Sequence, residues 1–284
     1  MTDALPFVSV IVPTYRDWER LGLCLEALRS QNYPCDRFEV IVVNNDPENA
    51  CPYPINDVNV SVLEESKPGS YAARNRAINQ AVGEVFAFTD SDCIPDKYWL
   101  ANSVSVDRSG VDRVAGHIEL FAKSKKLTIS EAYEMIFAFD QKDTAKQGTS
   151  VTANMVCSKK CFEHIGLFDA NIFSGGDTKW GLRANAKGLG IKYVPNAIVR
   201  HPARSSIKEI MSKRRRLLGS KYTGSSEPGK SGDIFRGLMP PVGQYKKIFA
   251  SSRVAINFKI MLIPVCYYIK IWSTIIEVGY RLKL

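Results

Sequence analysis

The first hundred residues alternate short runs of apolar, mostly β-branched side chains with longer segments that mix apolar and polar positions. The runs predict strands and the segments between them predict helices. The predicted strands are residues 7–12, 38–43, 58–63 and 84–89, and the predicted helices are residues 17–30 and 70–82. Near-continuous apolar strands separated by crossover helices are typical of a parallel sheet buried on both faces. We therefore expect an α/β fold in this part of the chain.

Beyond residue 100 the pattern is more mixed. It predicts helices at 95–109 and 128–139, strands at 112–120 and 150–157, and a polar loop at 140–150. Asp177 follows two glycines and precedes a helical segment, so we expect it to cap the N-terminus of that helix. A last strand, "AIVRH", ends at His201.

The end of the chain combines apolar and basic residues. Its longest apolar run, residues 260–269, stops at Lys270 and is short for a membrane span of about 20 residues. On a helical wheel the polar side chains form one narrow stripe, made of Ser252, Lys259, Lys270, Glu277 and, slightly offset, Arg281. The pattern predicts an amphipathic helix in the C-terminal region.

Charge is distributed unevenly along the chain. The formal net charge is +9, but residues 204–284 hold 16 Lys or Arg against 4 Asp or Glu, whereas residues 1–203 hold 22 against 25. Aromatic side chains are not interleaved with the basic cluster and no groove-reading motif is present, which argues against nucleic-acid binding. A basic amphipathic segment suits an anionic membrane surface. The alternatives are a helix packed on the core or against a second copy in a homodimer.

Composition sets wide limits. The 284 residues are 45% hydrophobic and 24% charged, as in folded globular proteins with one large domain or two modest ones. The seven cysteines are odd in number and contain no C-x-x-C pair, so neither a disulfide framework nor a zinc site is indicated. The N-terminus lacks the basic segment of a secretory signal, and we expect the protein to be cytoplasmic.

Candidate chemistry lies where the predicted parallel strands end, because such sheets bind ligands at their carboxyl edge. Asp90 and Asp92 follow the fourth strand, and two unpaired carboxylates so close repel each other unless a cation lies beside them. Neither the dinucleotide fingerprint nor a Walker-type phosphate loop is present. Phosphates, if bound, are then expected to be held through a carboxylate-bound Mg²⁺ or Mn²⁺.

Four segments in order resemble a family 2 glycosyltransferase with the GT-A fold. They are "VSVIVPTYRDWERLGLCLEALRSQ", "KPGSYAARNRAI", "FTDSDCIP" and "SGGDTKWGLRANAKGLGIKYVPNAIVRH". The resemblance covers roughly residues 7–205 and implies a Rossmann-like, mostly parallel sheet flanked by helices. It divides the chain into a catalytic domain at 1–205 and a helical, basic and apolar extension at 206–284. Within the catalytic domain, 1–110 is the nucleotide-sugar-binding half and 111–205 the acceptor-binding half.

The resemblance also implies an activity and a set of roles. The donor is a nucleotide-diphosphate sugar, with a UDP-sugar favoured, and the cofactor is Mn²⁺ or Mg²⁺. Asp92 is the expected metal ligand, Asp90 contacts the ribose or metal-bound water, and His201 completes the metal site or contacts the diphosphate. Asp177 is the expected general base, which gives inversion at the anomeric carbon. Gly176 departs from the Glu-Asp pair usual at this position and leaves one carboxylate.

The same resemblance implies donor contacts on several elements. Asn44 stands where relatives often have an Asp, which leaves the identity of the donor's nucleobase uncertain. Trp180 fits either a sugar-stacking or a core position. The full set of expected donor contacts is Pro13, Thr14, Tyr15, Arg16, Asn44, Asp46, Lys67, Arg74, Asn75, Asp90, Ser91, Asp92, Asn154 and Trp180.

The acceptor is expected to be a saccharide or a lipid-linked sugar at the inner face of the cell membrane. One alternative is a sugar-phosphate nucleotidyltransferase, which needs a Gly-rich basic loop after the first strand; "PTYRDWERLG" is not such a loop. Another is a non-catalytic membrane-bound scaffold of the same fold. The retained acids argue against the scaffold, whereas Gly176 and Asn44 keep it open.

Overall fold

A computed structural model describes residues 5–55, 58–106, 109–222 and 233–282. The chain forms two compact units. The first unit comprises Met1–Glu119 and Phe139–His201, and the second comprises Leu120–Ala138 and Pro202–Leu284.

The helices and strands follow one another in a mixed order. In chain order they are β1 Val8–Thr14, α1 Trp18–Arg29, β2 Phe38–Asn44, β3 Val60–Glu64, α2 Ser70–Gln80, β4 Val85–Phe88, β5 Ile94–Pro95, α3 Trp99–Val104, β6 Arg113–Phe121, α4 Ile129–Phe137, α5 Gln141–Lys146, β7 Met155–Ser158, α6 Lys159–Ile165, α7 Gly176–Ala186, β8 Ile191–Pro202, α8 Ile207–Tyr222, α9 Asp233–Leu238, α10 Val242–Ala250 and α11 Ile256–Arg281. The predicted α/β pattern is therefore confirmed.

The strands form one sheet in the order β3-β2-β1-β4-β7-β6-β8-β5. The predicted parallel arrangement is confirmed for β3, β2, β1 and β4. The sheet as a whole is mixed, because β4 pairs with β7, β7 with β6, and β5 with β8 in antiparallel fashion.

Strand register brings several strand ends to one level. All seven residues of β1 are buried, as expected for a strand covered on both faces. Thr14 pairs with Asn44, Asn44 pairs with Glu64, and Ile11 pairs with Phe88. Because Asp90 lies two residues beyond Phe88, it reaches the edge at which β1 and β2 end. The carboxyl edge of the sheet thus gathers the polar residues that follow these strands.

Three predicted elements differ from the structure. The helix expected at 95–109 is shorter, because Ile94 and Pro95 form an edge strand that pairs with Arg200 and Val199, and the helix begins only at Trp99. The loop expected at 140–150 contains α5, whose first turn is capped by the Asp140 carboxylate. The strand expected at 150–157 begins at residue 155, because Thr152–Asn154 forms a 3-10 turn.

The start of α7 also differs from the prediction. Asp177 is not the N-cap; that position is taken by Gly175, whose φ of 77° lies in the left-handed region that glycine tolerates best. Asp177 lies in the first turn of the helix, where a carboxylate interacts favourably with the helix dipole.

Each unit has its own hydrophobic core. In the first unit, aromatic side chains of α6, α7 and the connection between them pack on the sheet; Phe162 stacks on Trp180 with ring centroids 4.6 Å apart. In the second unit, α11 packs against α4, α8, α9 and α10, and its buried side chains are Leu262, Cys266 and Ile269.

The 26-residue helix α11 is, in length and composition, compatible with crossing a membrane, a property that core helices of soluble proteins share. It begins at Ile256, so Ser252 of the predicted polar stripe lies outside it. Pro264 is inside the helix.

Candidate active site

An acidic cluster follows β4 at the carboxyl edge of the sheet. Asp90, Asp92, Cys93 and His201 each offer one ligand atom, and these atoms all lie within 4.8 Å of one another. His201 belongs to the last strand, β8, and its side chain is buried beside Phe139, with ring centroids 4.7 Å apart. The structure thus brings together the three residues expected at a metal site, although 108 residues lie between Asp92 and His201 in the sequence.

Basic side chains balance the charge of this cluster. Arg74, which is buried on α2, forms an ion pair with Asp90. Arg20 of α1 lies 3.4 Å from Asp92 Oδ2, and His201 Nε2 lies 3.7 Å from Asp92 Oδ1. Burial raises the pKa of Asp92; His201 opposes this rise and Asp90 adds to it. A buried carboxylate next to a second one favours a bound cation.

The donor atoms fit a hard divalent ion. The two carboxylates suit Mn²⁺ or Mg²⁺, which prefer oxygen ligands, and the imidazole suits Mn²⁺ better than Mg²⁺. Burial raises the pKa of the Cys93 thiol well above its usual value, and Asp90 and Asp92 raise it further. Cys93 therefore stays a protonated thiol and is a poor ligand for these ions.

A second carboxylate, that of Asp177, is held by three hydrogen-bond donors. Its Oδ1 accepts from the backbone N–H of Thr178 at 2.8 Å and from the Tyr71 hydroxyl at 3.1 Å. Its Oδ2 accepts from the backbone N–H of Thr152 at 3.3 Å. The carboxylate is therefore fixed in orientation.

The residues predicted after β1 and β2 form a connected group. Thr14 is buried, and its hydroxyl has no hydrogen-bond partner among the residues that the structure describes. Arg16 pairs with Asp46 and stacks on the exposed ring of Tyr15, 5.4 Å from its centroid. Arg16 has a φ of 53°, an uncommon conformation for a residue other than glycine. Pro13 precedes this group within β1.

Asn44, in contrast, is used by its own loop. It is buried, its Nδ2 donates to the Asn49 carbonyl, and its Oδ1 accepts from the Asp46 backbone N–H. The neighbouring Asn45 holds the segment before α2, donating to the carbonyls of Glu65 and Lys67. The side chains after β2 thus shape the loops around the site.

Four other predicted contacts are engaged elsewhere in the protein. Lys67 donates to Asn171 at 2.9 Å, and the Asn75 amide exchanges two hydrogen bonds with the Phe168 backbone. Asn154 is fully buried and pairs with the Trp99 indole and with two carbonyls. Trp180 is also fully buried and donates to the Gly166 carbonyl. Asn154 and Trp180 are therefore core residues, which for Trp180 is one of the two expected positions, and a contact of either with the donor sugar stays a prediction.

Sequence reasoning missed three residues around the acidic cluster. Arg20 contacts both Asp17 and Asp92, and Asp17 Oδ2 accepts from the predicted Ser91 hydroxyl at 3.3 Å. Cys93 is the third. Asp17 and Arg20 lie at the start of α1 with ordinary helical spacing, so the sequence carries no signal that they contact residues 74 and 72 positions further along the chain.

Comparison with known proteins supplies the family. Residues 9–162 match the family described as glycosyl transferase family 2. The chain is 36% identical over 225 residues to the glycosyltransferase AglE of Haloferax volcanii, covering 76% of this chain and 73% of that one. It is 22% identical over 223 residues to a Methanococcus voltae dolichyl N-acetyl-alpha-D-glucosaminyl phosphate 3-beta-D-2,3-diacetamido-2,3-dideoxy-beta-D-glucuronosyltransferase, covering 72% and 70% of the two chains.

Solved structures show the same fold. The mannosyltransferase PcManGT of Pyrobaculum calidifontis, solved with GDP-Man and Mn²⁺, matches with a TM-score of 0.62 at 18% identity, over 99% of this chain and 87% of that one. TarS 1–349 of S. aureus, solved with UDP, matches with a TM-score of 0.52 at 17% identity, over 98% and 92%. The expected GT-A fold is confirmed. The chain is a glycosyltransferase and belongs to glycosyl transferase family 2.

Proposed function

We propose that the protein is an inverting, metal-dependent glycosyltransferase. It transfers a sugar from a nucleotide-diphosphate sugar to a hydroxyl group of a saccharide or lipid-linked acceptor. The observation that carries this proposal is the grouping of Asp90, Asp92 and His201 within 4.8 Å at the carboxyl edge of the sheet. A nucleotidyltransferase is disfavoured by the family assignment.

Asp92 and His201 are the proposed direct ligands of Mn²⁺ or Mg²⁺, with Asp90 as a further ligand or a contact to the ribose. When bound, such an ion stabilises the negative charge that develops on the departing diphosphate. The ion pair of Arg20 with Asp92 and that of Arg74 with Asp90 keep the two carboxylates apart and oriented. The proposal is supported by a GT-A neighbour solved with Mn²⁺.

Asp177 is the proposed general base. An acceptor hydroxyl is a weak nucleophile until its proton is removed, and a positioned carboxylate typically contributes about 10² to 10⁴ in rate. Among the described residues, Asp177 Oδ2 accepts one hydrogen bond, from the Thr152 N–H at 3.3 Å, so this oxygen has capacity to accept the hydroxyl proton. Direct attack assisted by this base inverts the anomeric carbon.

A UDP-sugar is the proposed donor, held by Thr14, Arg16, Asp46 and Ser91 around the ends of β1, β2 and β4. Neighbours of this fold were solved with UDP and with GDP-Man, which supports a nucleoside diphosphate in this position. The Thr14 hydroxyl is buried and has no partner within the described part of the chain, so it is a polar group that a ligand could satisfy.

The proposed setting is the cytoplasmic face of the membrane, reached through residues 206–284. Large apolar side chains of the second unit are exposed, and the helices that carry them also carry Lys and Arg. The exposed apolar residues are Leu217, Phe235, Leu238, Met239, Val242, Phe249, Ile256, Ile260, Met261, Tyr267, Tyr268, Ile275 and Leu282. A relative whose name includes a dolichyl phosphate supports a lipid-linked acceptor.

The test measures hydrolysis of UDP-glucose, UDP-N-acetylglucosamine and GDP-mannose with Mn²⁺ or Mg²⁺, alongside UDP binding by calorimetry. Asp92→Ala is expected to abolish metal-dependent UDP binding. Asp177→Ala is expected to bind UDP like the parent and to lower turnover about 10²- to 10⁴-fold. If both variants turn over donor as the parent does, the assigned roles are wrong.

A further inference from the structure

Gly176 and Tyr71 fit together at the start of α7. A Cβ atom built on Gly176 would lie 2.7 Å from Cε2 of the Tyr71 ring and 2.9 Å from two more of its carbons, closer than such atoms approach. The absence of a side chain at position 176 is therefore what allows the Tyr71 ring to lie against the backbone of α7. Gly176 is the position at which the sequence lacks the first of the two acids expected there.

The position of the Tyr71 ring beside Gly176 brings its hydroxyl to Asp177. Tyr71 is 5% exposed, and its hydroxyl donates to Asp177 Oδ1 at 3.1 Å. Burial raises the pKa of this phenol, and the Asp177 charge raises it further, so the hydroxyl keeps its proton and remains a donor. The ring is fixed by packing on Phe168, with centroids 5.6 Å apart.

Helix α2, which carries Tyr71, also contacts the Asp90 carboxylate through Arg74. Arg74 lies three residues after Tyr71 on α2, so the two side chains share one face of the helix. Arg74 pairs with Asp90, and its guanidinium carbon lies 5.7 Å from the centroid of the Tyr71 ring. One turn of α2 therefore connects the Asp177 carboxylate with the acidic cluster after β4.

We propose that Tyr71 is a positioning residue for the general base, with Gly176 providing the space for it. The inference rests on the proposed role of Asp177. Tyr71 and the Thr178 N–H together engage Oδ1, which orients the carboxylate so that Oδ2 faces the acceptor hydroxyl. Tyr71 thus acts where relatives are expected to have a second acid, but as a neutral donor.

The main test compares Tyr71→Phe with Tyr33→Phe. Tyr33 is 6% exposed in the same unit and donates its hydroxyl to the Pro6 carbonyl at 2.6 Å, so its variant loses one buried hydrogen bond without touching Asp177. Tyr71→Phe is expected to lower kcat for Mn²⁺-dependent hydrolysis of the best donor among the three nucleotide sugars about tenfold, because a small displacement of a catalytic group is costly. The Kd for UDP should not change. Tyr33→Phe should keep the parent kcat.

Measuring Tyr71→Phe in the Asp177→Asn variant, which lacks the proposed general base, separates a positioning effect of Tyr71 from a general effect on stability. If Tyr71 acts through Asp177, Tyr71→Phe added to Asp177→Asn lowers kcat by less than about twofold. Gly176→Ala is expected to displace the ring and to lower kcat about as much as Tyr71→Phe, and the two changes together should not multiply. Thermal unfolding checks that each variant is folded.

The outcomes distinguish the two proposals. Full turnover in Asp177→Asn contradicts the role of the base and the positioning role with it. Lost turnover in Asp177→Asn together with a Tyr71→Phe variant that behaves like Tyr33→Phe leaves the base in place and overturns the role of Tyr71. An equal loss from Tyr71→Phe in both backgrounds also overturns it.

Discussion

The first unit buries charged side chains at the edge of a sheet, whereas the second unit exposes large apolar side chains on its helices. Arg74 is 3% exposed and pairs with Asp90, while Phe235 and Ile256 are 79% and 62% exposed. Both arrangements are unfavourable for an isolated soluble protein, because buried charges lose hydration and exposed apolar surface orders water. Both features fit the partners proposed above, an ion and a nucleotide for the first unit and a membrane surface for the second.

The largest expected effect tests the charged site. Removing divalent ions with EDTA should lower donor turnover about 10³-fold, the scale of losing a principal group that stabilises developing charge. Adding Mn²⁺ back should restore the rate. Initial rates on the donor measure both steps.

A stability measurement without substrate gives the control. Mn²⁺ should raise the melting temperature of the parent, because an ion that binds only the folded state stabilises it, and should leave that of Asp92→Ala unchanged. Turnover that survives chelation would contradict the proposed metal dependence.

The next effect compares a buried with an exposed ion pair in the same unit. The side chain of Arg74 is 4% exposed, whereas that of Arg16, which pairs with Asp46, is 61% exposed. Arg74→Ala should lower the free energy of unfolding by about 2 kcal/mol, because Asp90 is left without its partner at a partly buried position. Arg16→Ala should cause no resolvable loss, since water screens the exposed pair.

Urea unfolding of the two variants measures the difference. Equal losses would mean that burial does not govern the strength of these pairs, and the contrast drawn for the first unit would fail.

The same contrast explains what the sequence could predict. The runs that became β1, β2 and β4 are almost wholly apolar, so their burial and their parallel pairing followed from pattern alone. Asp90 and Asp92 were conspicuous because they interrupt such a run. The grouping of His201 with them depended on a family resemblance, since nothing in the local sequence around β8 indicates that it approaches β4.

Contacts made by ordinary-looking side chains were not predictable. Asn154 looked like a polar candidate, yet it bridges the Trp99 indole and two carbonyls inside the core. No prediction was made for Arg20, yet it reaches Asp92. No pattern in Leu120–Ala138 indicated that this segment belongs to the same compact unit as the C-terminal helices. Local pattern reports burial, but it does not report which distant group a polar side chain meets.

A smaller effect tests the exposed apolar surface of the second unit. Ile256 and Ile260, which are 62% and 59% exposed, lie four residues apart on one face of α11. Changing either to Glu should weaken binding to vesicles of mixed neutral and anionic lipid about tenfold, since one isoleucine no longer enters the apolar layer. Co-sedimentation with vesicles measures the partition coefficient.

Val82 of the first unit, which is 68% exposed, gives the matched control, and Val82→Glu should bind vesicles like the parent. If the parent does not bind vesicles and sedimentation equilibrium shows a dimer that either Glu variant dissociates, the surface contacts a second copy of the chain instead.

The smallest effect concerns a charge within the second unit. Burial lowers the pKa of Lys213 on α8 to about 8, and Arg204, Arg214 and Arg216 lower it while Glu134 opposes them. Because the folded state loses this proton near pH 8 and the unfolded chain near pH 10.5, the unfolded state binds more protons between these values. This group therefore makes the protein more stable as pH rises through that window, and its unfavourable contribution is complete below it.

Lys213→Met should thus raise the free energy of unfolding at pH 7 by about 1 kcal/mol, and the gain should shrink by pH 10, where the parent has also lost the charge. Urea unfolding at both pH values measures the gain, and Lys208→Met, at an exposed position on the same helix, is the control for a change of side chain without burial. A gain of equal size at pH 7 and pH 10 would show that packing of the methionine is responsible. The charge of Lys213 would then not lower the free energy of unfolding. The second unit would differ from the first unit only in its exposed apolar surface.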